Sequence, residues 1–266
     1  MTPIYLPENC QAAFQLNWTV TVFGNQELPP KATWYEPLKA ALEPDGVRIL
    51  EARLAQPHLA QFFVSTQQAI TPSEIVRFIK ARWQYLLRSQ QPSAFQRNYF
   101  IGSVGKANSE ALDHYVARQI EKHPMADDRV TARLAELQFH NPKVALDEEQ
   151  RSSHGRFVHS LQVVVECVAG WNEIRDEVQT ASRNMIVRAS NAKGWRLART
   201  GLLSNHIHIL LGCGVTESPE SVALSLLNNL AFVQGMKPVY RFSYYVGTFG
   251  KYDRNAIRRR LIGDGK

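Results

Sequence analysis

The block Tyr99-Phe100-Ile101-Gly102-Ser103-Val104-Gly105-Lys106 returns later in the chain as Tyr244-Tyr245-Val246-Gly247-Thr248-Phe249-Gly250-Lys251. The tyrosine, both glycines and the lysine are identical, and the remaining positions are similar. A second block, Pro72-Ser73-Glu74-Ile75-Val76, returns as Pro219-Glu220-Ser221-Val222-Ala223, each with proline at a helix start. One such match arises by chance. Two, in the same order, argue for an internal duplication.

The surrounding pattern agrees. In the first half, alternation predicts strands over 14–23, 47–54, 59–65 and 95–103. Helices are expected over 33–42, with Pro37 in the first turn, from the Thr71 cap to about Arg88, and from a Ser109 cap to about Lys122. Residues 124–156 are polar and mixed, with a short helix near 129–138. The pattern then restarts. Strands are expected over 157–167, 195–203, 206–212 and 239–248. Helices are expected over 172–191, from the Ser218 cap to about Val233, and from Asp253. The expected fold class is α+β: two copies of a βαββαβα unit, each an antiparallel sheet with helices on one face. The expected domains are 1–124, a linker over 125–156, and 157–266.

Composition bounds the function. With 44% hydrophobic and 10% aromatic residues, the 266-residue chain can bury a core. Its 31 basic and 24 acidic residues leave a net charge of +7, which favours a polyanionic partner without requiring one. Cys10, Cys167 and Cys213 form no CxxC and no zinc spacing, the pattern of reduced thiols in a cytoplasm. The N-terminus has no basic, apolar leader, and no apolar run reaches the ~18 residues of a membrane span. A soluble, cytoplasmic protein without a membrane partner is expected.

The halves differ where chemistry would lie. His206-Ile207-His208 falls on a strand, so both imidazoles share a face and can hold one divalent metal. An isolated pair of this kind is more often packing than a metal site. Through the proline-led helices, His206 aligns with Leu59 and His208 with Gln61. Extending the glycine block places Tyr115 opposite Arg260. His58, His123, His140, His154 and His159 have no partner at ligand spacing and read as structural or surface residues. His114 reads as a solvent or phosphate contact.

Taken together, these motifs resemble the single-tyrosine HUH transposases of small insertion sequences and the related REP-associated tyrosine transposases. The resemblance rests on Tyr99 to Gly105, on Tyr115-Val116-Ala117-Arg118-Gln119, and on His206-Ile207-His208 preceded by Asn205. It implies a ferredoxin/RRM-like HUH fold and a Mg²⁺ or Mn²⁺ ion held by His206, His208 and Gln119. It also implies Tyr115 as the nucleophile on single-stranded or hairpin DNA, giving a 5′-phosphotyrosine link. Family members are usually short chains acting as homodimers, which can assemble a site from two subunits. Here the copies are fused and each has lost what the other keeps. The expectation is a single-chain pseudo-dimer, monomeric and without an obligate protein partner, with one composite site. Two alternatives stay open: a hairpin-binding protein that no longer moves DNA, and a metal-dependent hydrolase that uses water and not Tyr115. Arg258, Arg259, Arg260, Lys80, Arg82 and Arg88 are candidate phosphate contacts. Tyr85 and Trp83 are candidate base-stacking residues, with Trp83 better read as core.

Overall fold

The computed structural model describes residues 2–263, without the side chains at positions 260 and 262. Its architecture is mixed α+β, with two six-stranded, mainly antiparallel sheets among the described residues.

The chain opens with β1 (Gln11–Gln15) and β2 (Asn17–Gly24), one extended run broken at buried Leu16. Then come α1 (Lys31–Leu42), β3 (Val47–Gln56), β4 (Leu59–Thr66), α2 (Pro72–Leu87) and β5 (Phe95–Val104). The strands lie in the order β3-β4-β2-β5. Trp18, Trp34, Phe62 and Trp83 are buried where α1 and α2 cover one sheet face. Thr71 and Glu74 form a capping box at the start of α2, as their spacing predicts. Pro37 departs from expectation. The helix begins at Lys31, so Pro37 lies inside it and not in its first turn.

A connecting region follows: α3 (Ser109–Ala117), α4 (Gln119–Lys122), α5 (Asp128–Leu137), β6 (Phe139–His140) and β7 (Gln150–Arg151). Then β8 (Gly155–Val158) and β9 (Ser160–Cys167) form a second extended run, broken at buried His159. The rest is α6 (Asp176–Lys193), β10 (Arg196–Leu202), β11 (His206–Gly212), α7 (Pro219–Val233), β12 (Tyr240–Phe249) and α8 (Arg254–Gly263). The strand order is β10-β11-β9-β12, matching the first sheet strand for strand. Helices α6 and α7 cover one face, over Leu161, Val163, Ile207, Ile209 and Leu211.

The two sheets exchange edges. β1 pairs in parallel with β12, in the other half, and β8 pairs in parallel with β5. Each broken run therefore gives its first part to one sheet and its second to the other. Alternation alone cannot show this, because both parts have strand character.

The halves lock together where β5 and β12 end. The Ser103 hydroxyl donates to the Phe249 carbonyl at 2.6 Å, and the Thr248 hydroxyl donates to the Val104 carbonyl at 2.7 Å. The Ser103 and Thr248 hydroxyl oxygens in turn accept from the Ser160 and Asn17 amides. Gly105 and Gly250 permit the approach: a Cβ on Gly105 would lie 2.6 Å from the Thr248 carbonyl oxygen, and one on Gly250 2.3 Å from that of Ser103. The chain then crosses over. The Ser109 amide donates to the Gly250 carbonyl, and the Arg254 amide donates to the Gly105 carbonyl. α3 thus starts in one half and packs on the sheet of the other, through Leu112 and Val116 against Ala198, Leu210 and Phe249. α8 does the reverse, setting Ile257 against Phe63 and Val104.

Candidate active site

β11 lies inside its sheet, between β9 and β10. Alternation sends Ile207 and Ile209 into the helix-covered core and His206, His208 and Leu210 to the opposite face. His208 is 5% exposed, and the His206 and His208 rings stand 5.0 Å apart. Burial pushes the His208 pKa down to about 4, helped by His206 and His123. His206 is lowered too, by burial and then by His123, against the pull of Glu166. Both are therefore neutral at neutral pH, the form that offers a lone pair to a metal. The Asn205 side-chain oxygen lies 2.7 Å from His206 Nδ1, where it accepts the ring proton and leaves Nε2 bare. The Gln162 amide lies 3.4 Å from His208 Nδ1.

α3 closes this face. Its cap is Asn108, whose side chain accepts from the Ala111 amide at 2.9 Å, and not Ser109 as expected. Ser109 instead donates to Asp147. Asp113 takes two hydrogen bonds from Arg199 of β10, at 2.5 and 2.9 Å. Val116 sits directly over Gly201, where a Cβ would come within 2.8 Å of Val116 Cγ1. This docking sets the Tyr115 ring 5.7 Å from the His208 ring, edge to face. Tyr115 remains 41% exposed, and the Lys122 ammonium lies 4.7 Å from its ring centre.

The expected helix from 109 to 122 is broken. Arg118 leaves helical geometry at φ −94°, ψ 9°, and Gln119 opens α4. Gln119 is buried, and its NH₂ donates to the Tyr115 carbonyl at 3.0 Å. That bond uses the donor end of the amide and leaves its oxygen as the group able to act as a ligand.

His123, read from sequence as structural or surface, stands with its ring 5.5 Å from that of His206. No spacing rule finds it, because the turn after α4 brings it there. Among the described residues, no group of three or more His, Cys, Asp or Glu is arranged to hold a metal ion. A metal on the histidine pair would need its next ligand from an amide, from water or from substrate.

The basic candidates divide. The Lys80 ammonium donates to the carbonyls of Gln96, Arg97 and Asn98 at 2.8–3.0 Å, and burial lowers its pKa to about 8. Arg82 pairs with Asp45 through two bonds of 2.7 Å. Both head groups are thus engaged within the fold. Arg88 stacks on exposed Tyr85 at 4.0 Å. Arg258 and Arg259 are exposed on α8, and the Arg258 guanidinium lies 5.9 Å from the Phe63 ring. The Arg260 side chain lies outside the described residues. Trp83 is fully buried core, and His114 is exposed.

Residues 30–119 match the family model described as "Transposase IS200 like". Over these residues the chain is similar to the IS200-like transposases. The match covers about a third of the chain. It ends on Gln119 and takes in Tyr115, but lies wholly in the half without the histidine pair. No curated protein matches the chain in sequence. Among solved structures, one similar chain is a REP-associated tyrosine transposase bound to a REP hairpin. That similarity has 10% identity and a TM-score of 0.31, over 39% of this chain and 62% of that one. Another is a candidate transposase from Deinococcus radiodurans R1, with 16% identity and a TM-score of 0.32, over 39% of this chain and 88% of that one. Among the described residues, no helix is long and apolar enough to cross a membrane.

Proposed function

We propose that this chain is a single-tyrosine DNA strand transferase with one composite site. The observation that carries the reading is the approach of Tyr115, from the first half, to within 5.7 Å ring to ring of His208, in the second. The two halves, 1–124 and 157–266 joined through 125–156, descend on this reading from a duplicated unit and form a pseudo-dimer within one chain. Their matching strand orders and crossed terminal helices support that. The protein would act in the cytoplasm, as a monomer.

The donor set fits a divalent cation: two neutral imidazoles on one face, with Nδ1 of His206 held by Asn205. Mg²⁺ or Mn²⁺ held by His206 and His208, with the Gln119 oxygen as the expected third donor, would supply Lewis acidity to a bound phosphate. The protein's own part is positional. α3 holds Tyr115 beside the phosphate site, where the phenol oxygen attacks phosphorus. The bond to the 3′-oxygen breaks, the phenol proton passes to water, and the released 3′-oxygen takes a proton from water and leaves as a 3′-OH. The 5′-phosphotyrosine keeps the bond energy for rejoining, so no nucleotide cofactor is required.

The test is to incubate labelled single-stranded hairpin DNA with the full chain and Mg²⁺ or Mn²⁺, and to look for a covalent protein–DNA band. A band lost in Tyr115→Phe and in His208→Ala supports the reading. Binding without a band, across metals and hairpin sequences, would instead make this a hairpin-binding protein. Cleavage that survives Tyr115→Phe would assign the site to water-dependent hydrolysis.

A further inference from the structure

A cavity lies on the equivalent face of the other sheet, opposite its helix-covered core. It measures about 560 Å³, within the range of small-molecule sites. Strand pairing fixes its place in the fold. Gln61 pairs with Thr21 and Arg53 as His208 pairs with Val164 and Gly201. The cavity therefore occupies, in the first half, the position of the histidine pair in the second. It has no imidazole, and α8 carries arginine where α3 carries Tyr115.

Its walls have the character of a nucleotide site. The Phe100 ring lies across Gly102: a Cβ there would meet Phe100 Cζ at 3.1 Å, so a side chain at this position would press on the ring. Tyr245 lies over Gly247 in the same way, in a cavity of about 410 Å³ reached by Gln162 and Lys106. Each sheet thus presents a half-exposed aromatic ring at this place, with a lysine from the chain that starts the crossing helix at its rim. Around Phe100 stand the Thr19 and Thr21 hydroxyls, the Gln61 amide, and the cations Arg53 and Lys251. Two carboxylates also line the cavity, but Asp147 accepts from Ser109 and Glu149 pairs with Arg156 at 3.1 Å. Arg53 donates to the Gln61 oxygen at 2.9 Å, which turns the Gln61 NH₂ outward as a donor.

We propose that this cavity is a non-catalytic binding site for one unpaired DNA nucleotide, its base stacked on Phe100 and its phosphate near Lys251. Aromatic stacking accepts any base, and the flanking amide and hydroxyls meet its polar edge. The ligand class rests on the DNA reading above, whereas the site itself rests on the cavity and its ring. The chain then holds two strands and cuts one.

The experiment uses the full chain carrying Tyr115→Phe and an unstructured oligonucleotide too short to reach from the histidine pair to this cavity, with 2-aminopurine as the stacking probe. Two strands bound per chain are expected. Phe100→Ala should weaken the second at least about ten-fold and remove its share of the quenching. Lys251→Glu, a change at an exposed residue, should weaken it independently. One strand per chain in the parent, or a second strand untouched by both changes, overturns the proposal. The covalent-band assay fails separately: two strands without a band would sink the catalytic reading and leave this site standing.

Discussion

Gly201 and Arg53 occupy the same place in the two sheets, and they separate an assembled site from an open one. At Gly201 the absent side chain lets Val116 settle on the strand, and Tyr115 comes down beside His208. At Arg53 the side chain lies over the strand on Gln61, and a cavity of about 560 Å³ remains under α8. The charges differ in step. Asp113 on α3 pairs with Arg199 on β10, while the matching positions hold Arg258 on α8 and Glu51 on β3, opposite in sign but not ion-paired with each other. One scaffold thus carries two outcomes. The difference lies in the few side chains under the crossing helix and not in the sheets.

The contrast between the halves should be sharpest at the proposed reacting groups. Tyr115→Phe and His208→Ala should each lower the covalent adduct at least about a thousand-fold, read on denaturing gels, while Gln61→Ala leaves an adduct. Next comes Gly201→Arg, which imports the first half's residue. Its side chain must displace Val116 and lift α3. The adduct should fall about a hundred-fold, with a loss of roughly 1–3 kcal/mol in urea unfolding. Wild-type adduct yield in Gly201→Arg would show that α3 docking does not govern the chemistry.

Asp113→Ala should have a smaller effect. Arg199 is mostly buried, so removing its carboxylate strands a charge and costs about 1–3 kcal/mol. Reversing the pair, Asp113→Arg with Arg199→Asp, should restore part of that, since the opposite charges can meet again. A double variant no better than the worse single one would show that the pair's geometry, and not its charge, holds α3.

Much of the fold was legible because it rests on local rules. The Thr71 and Ser218 caps, the strand alternation and the repeated glycine block each report on their immediate neighbours. The edge exchange at Leu16 and His159 was not legible, since an extended residue looks the same in either sheet. In the site, the pairing of Tyr115 with the histidines follows from reciprocal loss between the halves. His123 and Gln162 reach the site through tertiary packing alone, and no motif carries them. Lys80 shows the converse: its charge in the sequence suits phosphate, but three backbone carbonyls claim it.

The subtlest contrast sits at that edge exchange, where one half places Leu16 and the other His159. Both are buried, but His159 donates from Nδ1 to the Gly214 carbonyl at 2.8 Å, packs edge-on against Trp18, and has no partner for Nε2. Burial, with the positive charge of Arg196 nearby, pushes its pKa down to about 4. The folded chain therefore keeps it neutral where the unfolded chain, at about 6.5, takes up a proton. Its contribution is full above pH 6.5, falls as the pH drops, and is gone below about 4, a loss on the order of 3 kcal/mol. His159→Leu, the other half's residue, exchanges one hydrogen bond for relief of an orphaned nitrogen. Stability at pH 8 should change by no more than about 1 kcal/mol. The decline between pH 6.5 and 4 should become shallower, with His208 sustaining what remains. Urea midpoints measured across that range decide it: an unchanged slope in His159→Leu would mean that the buried imidazole is not what makes this junction sensitive to acid.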